Sequence, residues 1–235
     1  MKRKQTSRAT IRRVTKLWFS LVLAALAGGY AAQAQTNYTA SLNFVFSGGT
    51  PAGSAPWINA AFSTVSPGTI SLTISGPGLA SPNFMSQLYL NVDPSLNVND
   101  LNFTETTQVG TFTAPTEGGA TLLLGEDAFQ ANTIGGLHDI LLNFSTTSGQ
   151  QFTTGDSITY SITGDPSLTA LSFNATSSEV NPGDLALTAA ALIQGSPADD
   201  WIGASNVPEP GIGSLLALGG LGLLARVRTM MARRY

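Results

Sequence analysis

The chain has 235 residues, with 11 Lys and Arg against 14 Asp and Glu, a single His and no Cys. The missing cysteines exclude disulfides, thiol catalysis and thiolate metal sites. Every basic residue lies within residues 1–16 or 226–234, so residues 17–225 hold all 14 carboxylates and a formal charge of −14. A region without Lys or Arg cannot neutralise phosphates, and this excludes nucleic-acid binding by the central part.

Residues 1–34 have the three parts of a signal peptide. A basic leader is followed by an apolar core (LWFSLVLAALAGG), and Ala32 and Ala34 then supply the small residues of a cleavage site before Gln35. We therefore predict that signal peptidase removes this segment. A pair of arginines in the leader keeps twin-arginine export open beside the general secretory route.

The next region, 35–205, alternates apolar and polar residues with the period of a β-strand rather than that of a helix. Regular runs lie at 38–46, 70–74, 88–92, 140–144, 158–162 and 185–193, with a less regular run at 168–173. Gly- and Pro-rich turn sequences separate these runs. Many short strands between turns predict one all-β domain, built as an antiparallel β-sandwich or a jelly roll.

Two stretches of this region are less clear. Residues 126–133 (EDAFQANT) fit a short helix or a loop equally well. From residue 194 the chain becomes polar, and we expect Trp201 and Ile202 to fold back on the domain.

The single histidine, His138, is followed by Asp139. Adjacent strand residues point to opposite faces, so Asp139 is poorly placed to orient the imidazole in a catalytic triad. The nucleophile-elbow motif G-x-S-x-G is also absent from the sequence. We expect a solvent-facing or turn histidine.

Paired carboxylates are the other candidates for catalysis. The pairs at 126–127 and 199–200 could in principle serve glycoside hydrolysis. Trp57 and Trp201 are the only tryptophans beyond the signal peptide, which is few for a glycosidase cleft. Either ring could contact a sugar, and core packing is the alternative.

Calcium is a further use for the carboxylates, because it takes oxygen ligands from loops. Asp93 and Asp100 begin and end the loop sequence DPSLNVND and are the candidate ligands of a structural calcium ion. Their spacing differs from that of an EF-hand. Ordinary turn formation explains the same residues, as it explains three Gly-Asp pairs further along. No other cofactor is expected.

The C-terminal tail combines a Pro-rich linker, an apolar run and arginines. Pro208 and Pro210 fix φ and remove two backbone donors, so the linker 206–211 stays extended. The uncharged run that follows ends at the basic residues Arg226, Arg228, Arg233 and Arg234. Arginines beside an apolar span remain on the cytoplasmic side. We therefore predict a transmembrane helix with a cytoplasmic end at 212–235, although its uncharged part is shorter than the roughly 20 residues of an ordinary span.

This tail resembles the PEP-CTERM sorting signal, through Val207, Pro208, Glu209 and Pro210 followed by the apolar run and the Arg-rich end. The resemblance implies that an exosortase in the inner membrane recognises and processes the tail, and that the protein continues to the cell surface or extracellular matrix. The stretches 57–75, 88–96 (LYLNVDPSL), 155–164 (GDSITYSITG) and 189–205 (AAALIQGSPADDWIGAS) are together similar to a recurring bacterial PEP-CTERM surface-protein domain that has no assigned activity. That similarity implies a single β domain and adds no catalytic residue.

Together these features predict an exported, non-enzymatic protein with a structural or adhesive role. A carbohydrate-binding module of the exopolysaccharide matrix is the main alternative, and a secreted hydrolase is a third. The expected partners are signal peptidase, an exosortase-type enzyme, the inner membrane in transit and exopolysaccharide.

Overall fold

The computed structural model describes residues 37–195 and 199–205. In this part the chain forms eleven β-strands and two short 3₁₀ helices, and it contains no α-helix. The strands are β1 Asn37–Leu42, β2 Phe44–Ser47, β3 Ile58–Ser66, β4 Thr69–Ser75, β5 Phe84–Leu90, β6 Asn102–Val109, β7 Leu122–Gln130, β8 Leu137–Asn143, β9 Ser157–Thr163, β10 Ala189–Gln194 and β11 Asp200–Ala204. The predicted all-β class is confirmed.

The strands form two antiparallel sheets, as in a β-sandwich. The five-stranded sheet has the order β1-β3-β4-β9-β6, and the six-stranded sheet has the order β2-β11-β10-β5-β8-β7. Their alternating apolar residues join in one large buried cluster to which both sheets contribute. Leu72 and Tyr160, for example, are direct cross-strand partners of β4 and β9 and are both buried. Burial of this shared face is the main term that holds the sheets together.

The run at 38–46, whose alternation predicts a single strand, is divided between the two sheets. The first half is β1 of the five-stranded sheet and the second half is β2 of the six-stranded sheet. Asn43 lies between them and donates its backbone N–H to the carbonyl of Gly203, 3.1 Å away. Alternation continues through the change of sheet, so the pattern alone cannot reveal it.

Two expectations about local structure were wrong. Residues 126–133 are largely strand, because β7 continues to Gln130 after an irregularity between Leu124 and Phe129. The run at 168–173 instead contains a 3₁₀ helix, Ala170–Phe173, at whose start the hydroxyl of Ser172 accepts the N–H of Thr169 at 3.1 Å. Alternation also failed to predict β3, β6, the first part of β7 and β11.

The six-stranded sheet is apolar on its outer face as well. Buried side chains there are joined by half-buried ones in what we call the outer cluster: Tyr89, Ala131, Leu141, Leu187 and Ala190, with Phe44, Phe46, Leu123, Phe129, Leu185 and Trp201. The segment between the second 3₁₀ helix and β10 supplies Leu185 and Leu187 to it. This face therefore differs from the Ser- and Thr-rich outer face of the five-stranded sheet.

Candidate functional site

The predicted targeting residues lie outside the described part of the chain. They are the cleavage-site residues Ala32, Ala34 and Gln35, the motif Val207, Pro208, Glu209 and Pro210, and the arginines Arg226, Arg228, Arg233 and Arg234. The predicted transmembrane helix at 212–235 also falls there. Across residues 37–195 and 199–205, no helix has the length and apolarity needed to span a bilayer.

The candidate calcium ligands Asp93 and Asp100 lie at the two ends of one exposed loop. The Asp93 carboxylate accepts the backbone N–H of Ser95 at 2.8 Å, and hydrogen bonds from the Ser95 side chain and backbone lower its pKa. Asp100 ends the 3₁₀ helix Val98–Asp100. No group of three or more His, Asp or Glu close enough to hold a metal ion occurs among the residues that the structure describes. Calcium binding by this loop stays a prediction.

The three Gly-Asp pairs are turn formers. The Asp156 carboxylate accepts the N–H and hydroxyl of Thr153 at 2.7 and 3.0 Å. Asp165 accepts the corresponding groups of Ser167 at 2.7 and 2.6 Å. Asp184 accepts two consecutive backbone N–H groups, those of residues 180 and 181, at 2.9 Å each. Capping of local backbone donors is the usual role of Asp in turns.

His138 is fully buried, so the expectation of a solvent-facing or turn position was wrong. Its Nε2 lies 3.2 Å from the carbonyl of Gly135, and because a carbonyl only accepts, Nε2 carries the proton. Nδ1 has no hydrogen-bond partner. Burial lowers the pKa of the imidazole to about 4, so His138 is neutral near pH 7. The ring packs 5.6 Å from that of Tyr89, centroid to centroid.

Asp139 does not orient His138, as the alternation of strand residues predicted. Its carboxylate instead links β7 to the segment that follows β5. One oxygen accepts the N–H of Val92 and the other accepts that of Asp127, both at 2.9 Å. Burial is the main cause that raises the Asp139 pKa, and the nearby Glu126 and Asp127 raise it further. The carboxylate therefore replaces a backbone acceptor where the β7–β8 ladder is interrupted.

The two carboxylates of the pair at 199–200 have different environments. Asp200 is fully buried, and its Oδ1 accepts the N–H of Gly49 at 2.7 Å while Oδ2 has no partner. Asp199 is exposed and accepts a hydrogen bond from the Gln194 amide at 3.2 Å.

The two tryptophans also have different environments. Trp57 is buried in the shared core, with 5% of its surface exposed. Trp201 is half-buried in β11, where its ring lies 6.1 Å from Phe46 and 5.8 Å from Tyr89. Only Trp201 therefore presents part of its indole to solvent.

A cleft of about 430 Å³ lies beside the edge strand β6. Its floor includes the buried Tyr160, whose hydroxyl donates to the carbonyl of Pro115 at 2.7 Å. Glu105 and Glu117 line the wall, and a Glu117 oxygen accepts the N–H of Phe103. Burial, reinforced by Glu105, raises the pKa of Tyr160, so the phenol stays protonated. The tyrosine is thus a structural donor.

Comparison of the chain with protein-family models, with curated proteins and with solved structures found no match. The functional interpretation therefore rests on the sequence and on the geometry given above.

The surface that sequence reasoning missed is the outer face of the six-stranded sheet. The alternation gave no signal for it, because the aromatic residues Phe44 and Phe46 share the phase of the core residues Ala40 and Leu42. Because the sheet change at Asn43 is invisible in the pattern, these rings were assigned to the same core as the residues before them.

Proposed function

We propose that the chain is an exported bacterial surface protein, sorted by a PEP-CTERM tail, and that residues 35–205 act outside the cell in a structural or adhesive role without catalysis. In this scheme the signal peptide 1–34 is removed, the helix at 212–235 pauses in the inner membrane, and an exosortase-type enzyme acts near Pro208, Glu209 and Pro210.

The observation that carries this proposal is the separation of charge along the chain. The described residues contain 13 Asp and Glu and neither Lys nor Arg, whereas the basic residues lie in the two predicted targeting segments. A cation-free domain with removable basic ends fits a protein that is released from its membrane contacts.

The side chains with catalytic potential support the non-enzymatic part of the proposal. His138 is buried and neutral, and the carboxylates of Asp139, Asp156 and Asp184 are occupied by backbone donors. A general acid or base must reach a substrate proton, and these groups are committed to the fold.

Intact mass of the protein recovered from the surface fraction of its host tests the proposal. We expect a chain that begins at Gln35 and ends near Pro208, with or without added mass at the new end. A mass that includes Arg226 and Arg234 would refute processing, and recovery from the cytosol with both ends attached would refute export.

A further inference from the structure

A row of half-buried side chains crosses the outer face of the six-stranded sheet. We call it the outer strip, and its members are Phe46 on β2, Trp201 on β11, Leu192 on β10, Gln87 on β5 and Asn143 on β8. Leu192 is the direct cross-strand partner of both Trp201 and Gln87, and Gln87 is the partner of Asn143. Direct partners lie on one face, so these four side chains form a continuous row. Phe46 joins the row through its ring contact with Trp201, whose direct partner on β2 is Ser47. Four strand spacings give it a length of about 19 Å.

The neighbouring row of the same face is covered by the chain itself. Leu187 packs over Gly203, where an added Cβ would lie 3.1 Å from the Leu187 side chain. Ala190 and Tyr89, the next members of that row, are buried as well. The outer strip therefore lies beside a row that the chain covers, and its own side chains are only half-buried.

The two ends of the strip have different chemistry. Phe46 and Trp201 provide aromatic rings 6.1 Å apart at one end. At the other end the Tyr89 hydroxyl donates to the side-chain Oε1 of Gln87 at 2.8 Å, and the side-chain Nε2 of Gln87 donates to Oδ1 of Asn143 at 3.0 Å. This chain of bonds orients the Asn143 amide, whose Nδ2 donates no hydrogen bond within the described part of the protein. A fixed donor beside apolar rings suits a ligand that has both C–H faces and hydroxyl groups.

The strip also lacks charge, although the domain is strongly acidic. None of its five side chains is charged. The nearest carboxylates along the chain are Asp200, which is fully buried and accepts the N–H of Gly49, and Asp199, which accepts a hydrogen bond from the Gln194 amide at 3.2 Å. A basic protein partner would be drawn to the carboxylates rather than to this surface. An uncharged occupant fits better, because it desolvates no ion here.

We propose that the outer strip binds an uncharged, extended polysaccharide, with a sugar ring stacked on Trp201 and neighbouring hydroxyls hydrogen-bonded to Asn143 and Gln87. The inference rests on the proposed function insofar as that function places the domain outside the cell. It names the partner class and assigns the contact to Trp201 and not to Trp57.

Calorimetric titration of the full chain in mild detergent tests the proposal, with cellohexaose and a β-1,3-linked glucan hexamer as neutral probes. A hexamer of glucosamine serves as the cationic comparison. We expect saturable binding of at least one neutral hexamer, and an affinity lowered about tenfold or more by Trp201→Ala, since this removes a ring contact. Asn143→Ala is expected to weaken the same binding, and Thr73→Ala on the other sheet is the matched control that leaves it unchanged.

Trp201→Ala also removes ring contacts to Phe46 and Tyr89, and this loss could prevent folding. If Trp201→Ala does not fold, Trp201→Phe and Asn143→Ala decide the result. Absence of binding to both neutral hexamers overturns the proposal. So does binding that both of these variants leave unchanged, or binding that is confined to glucosamine and abolished by salt. If the protein recovered from its host still carries the tail arginines but binds the glucan, the proposed sorting is refuted and the proposed binding site is not.

Discussion

The imidazole of His138 lies 5.6 Å from the ring of Tyr89, within a face of the sheet that is buried under the segment before β10. The same burial raises the pKa of Tyr89 to about 12, so both rings are uncharged in the folded protein near pH 7. The single histidine of the chain is therefore part of the packing, and its burial makes the stability of the fold depend on pH.

Stability is expected to fall as the pH drops from about 6.5 to about 4. In the unfolded chain His138 titrates near 6.5, whereas in the folded protein its pKa is about 4. Between these values the unfolded state binds a proton that the folded state does not, which costs about 3 kcal/mol in total. Urea unfolding of the native protein and of His138→Gln at pH 7 and pH 4.5 measures this effect.

The variant isolates the histidine from Asp139, whose raised pKa acts in the opposite direction. The contribution of Asp139 is fully present below its ordinary pKa and is lost as the pH rises. We expect the native protein to lose more stability than His138→Gln between the two pH values. Equal losses would show that the imidazole is accessible to protons in the folded state.

Asp139→Asn is expected to destabilise the domain by about 1–3 kcal/mol, because an amide has only one acceptor oxygen and leaves a buried N–H unpaired. In the native protein Val92 and Asp127 donate to different oxygens of Asp139. Asp165→Asn is the matched control, because both Ser167 donors reach the same Asp165 oxygen, which an amide retains. Denaturant midpoints compare the two variants, and similar losses would contradict the assignment.

Gly48→Ala is expected to destabilise more than Gly149→Ala by about 2 kcal/mol or more, because only the former creates a steric clash. Both glycines have positive φ, +87° and +80°, so the backbone strain of an alanine is similar. An added Cβ at Gly48 would lie 2.2 Å from the carbonyl oxygen of Asp199, whereas nothing lies within 4 Å at Gly149. Thermal midpoints of the two variants measure the difference, and equal midpoints would show that the turn before Asp200 can move aside.

Stability is expected to rise with sodium chloride over the range in which salt screens surface charge. The described part of the chain holds 13 carboxylates without Lys or Arg, so most of its surface electrostatics is repulsion between like charges. Thermal unfolding at low and moderate salt, at pH 7, measures the shift. A midpoint that falls with salt would show that attractive interactions of the carboxylates dominate.

The predicted calcium site at Asp93 and Asp100 is separated from that general effect by comparing calcium with sodium at equal ionic strength. A specific ion stabilises the folded state by mass action, so calcium should give the larger rise in the midpoint. The excess should disappear in the double variant Asp93→Asn, Asp100→Asn and persist in Asp165→Asn. An excess that survives the double variant would place the ion elsewhere.

The sequence by itself determined the all-β class and which residues share a face within a strand. In β4 and β9 the alternation of TISLTIS and SITYSIT matches burial residue by residue, because successive side chains of a strand point to opposite sides. The separation of basic ends from an acidic middle, and with it the proposed sorting, is also a property of the sequence alone.

Only the tertiary structure decided which strands meet and which face is covered. Phe44 and Phe46 have the alternation phase of a core strand, yet they lie on the outside of the six-stranded sheet because the chain changes sheets at Asn43. His138 and Trp201 receive their environments from strands far away in sequence. Pairing and register between distant segments depend on long-range packing, which a local pattern of polar and apolar residues does not contain.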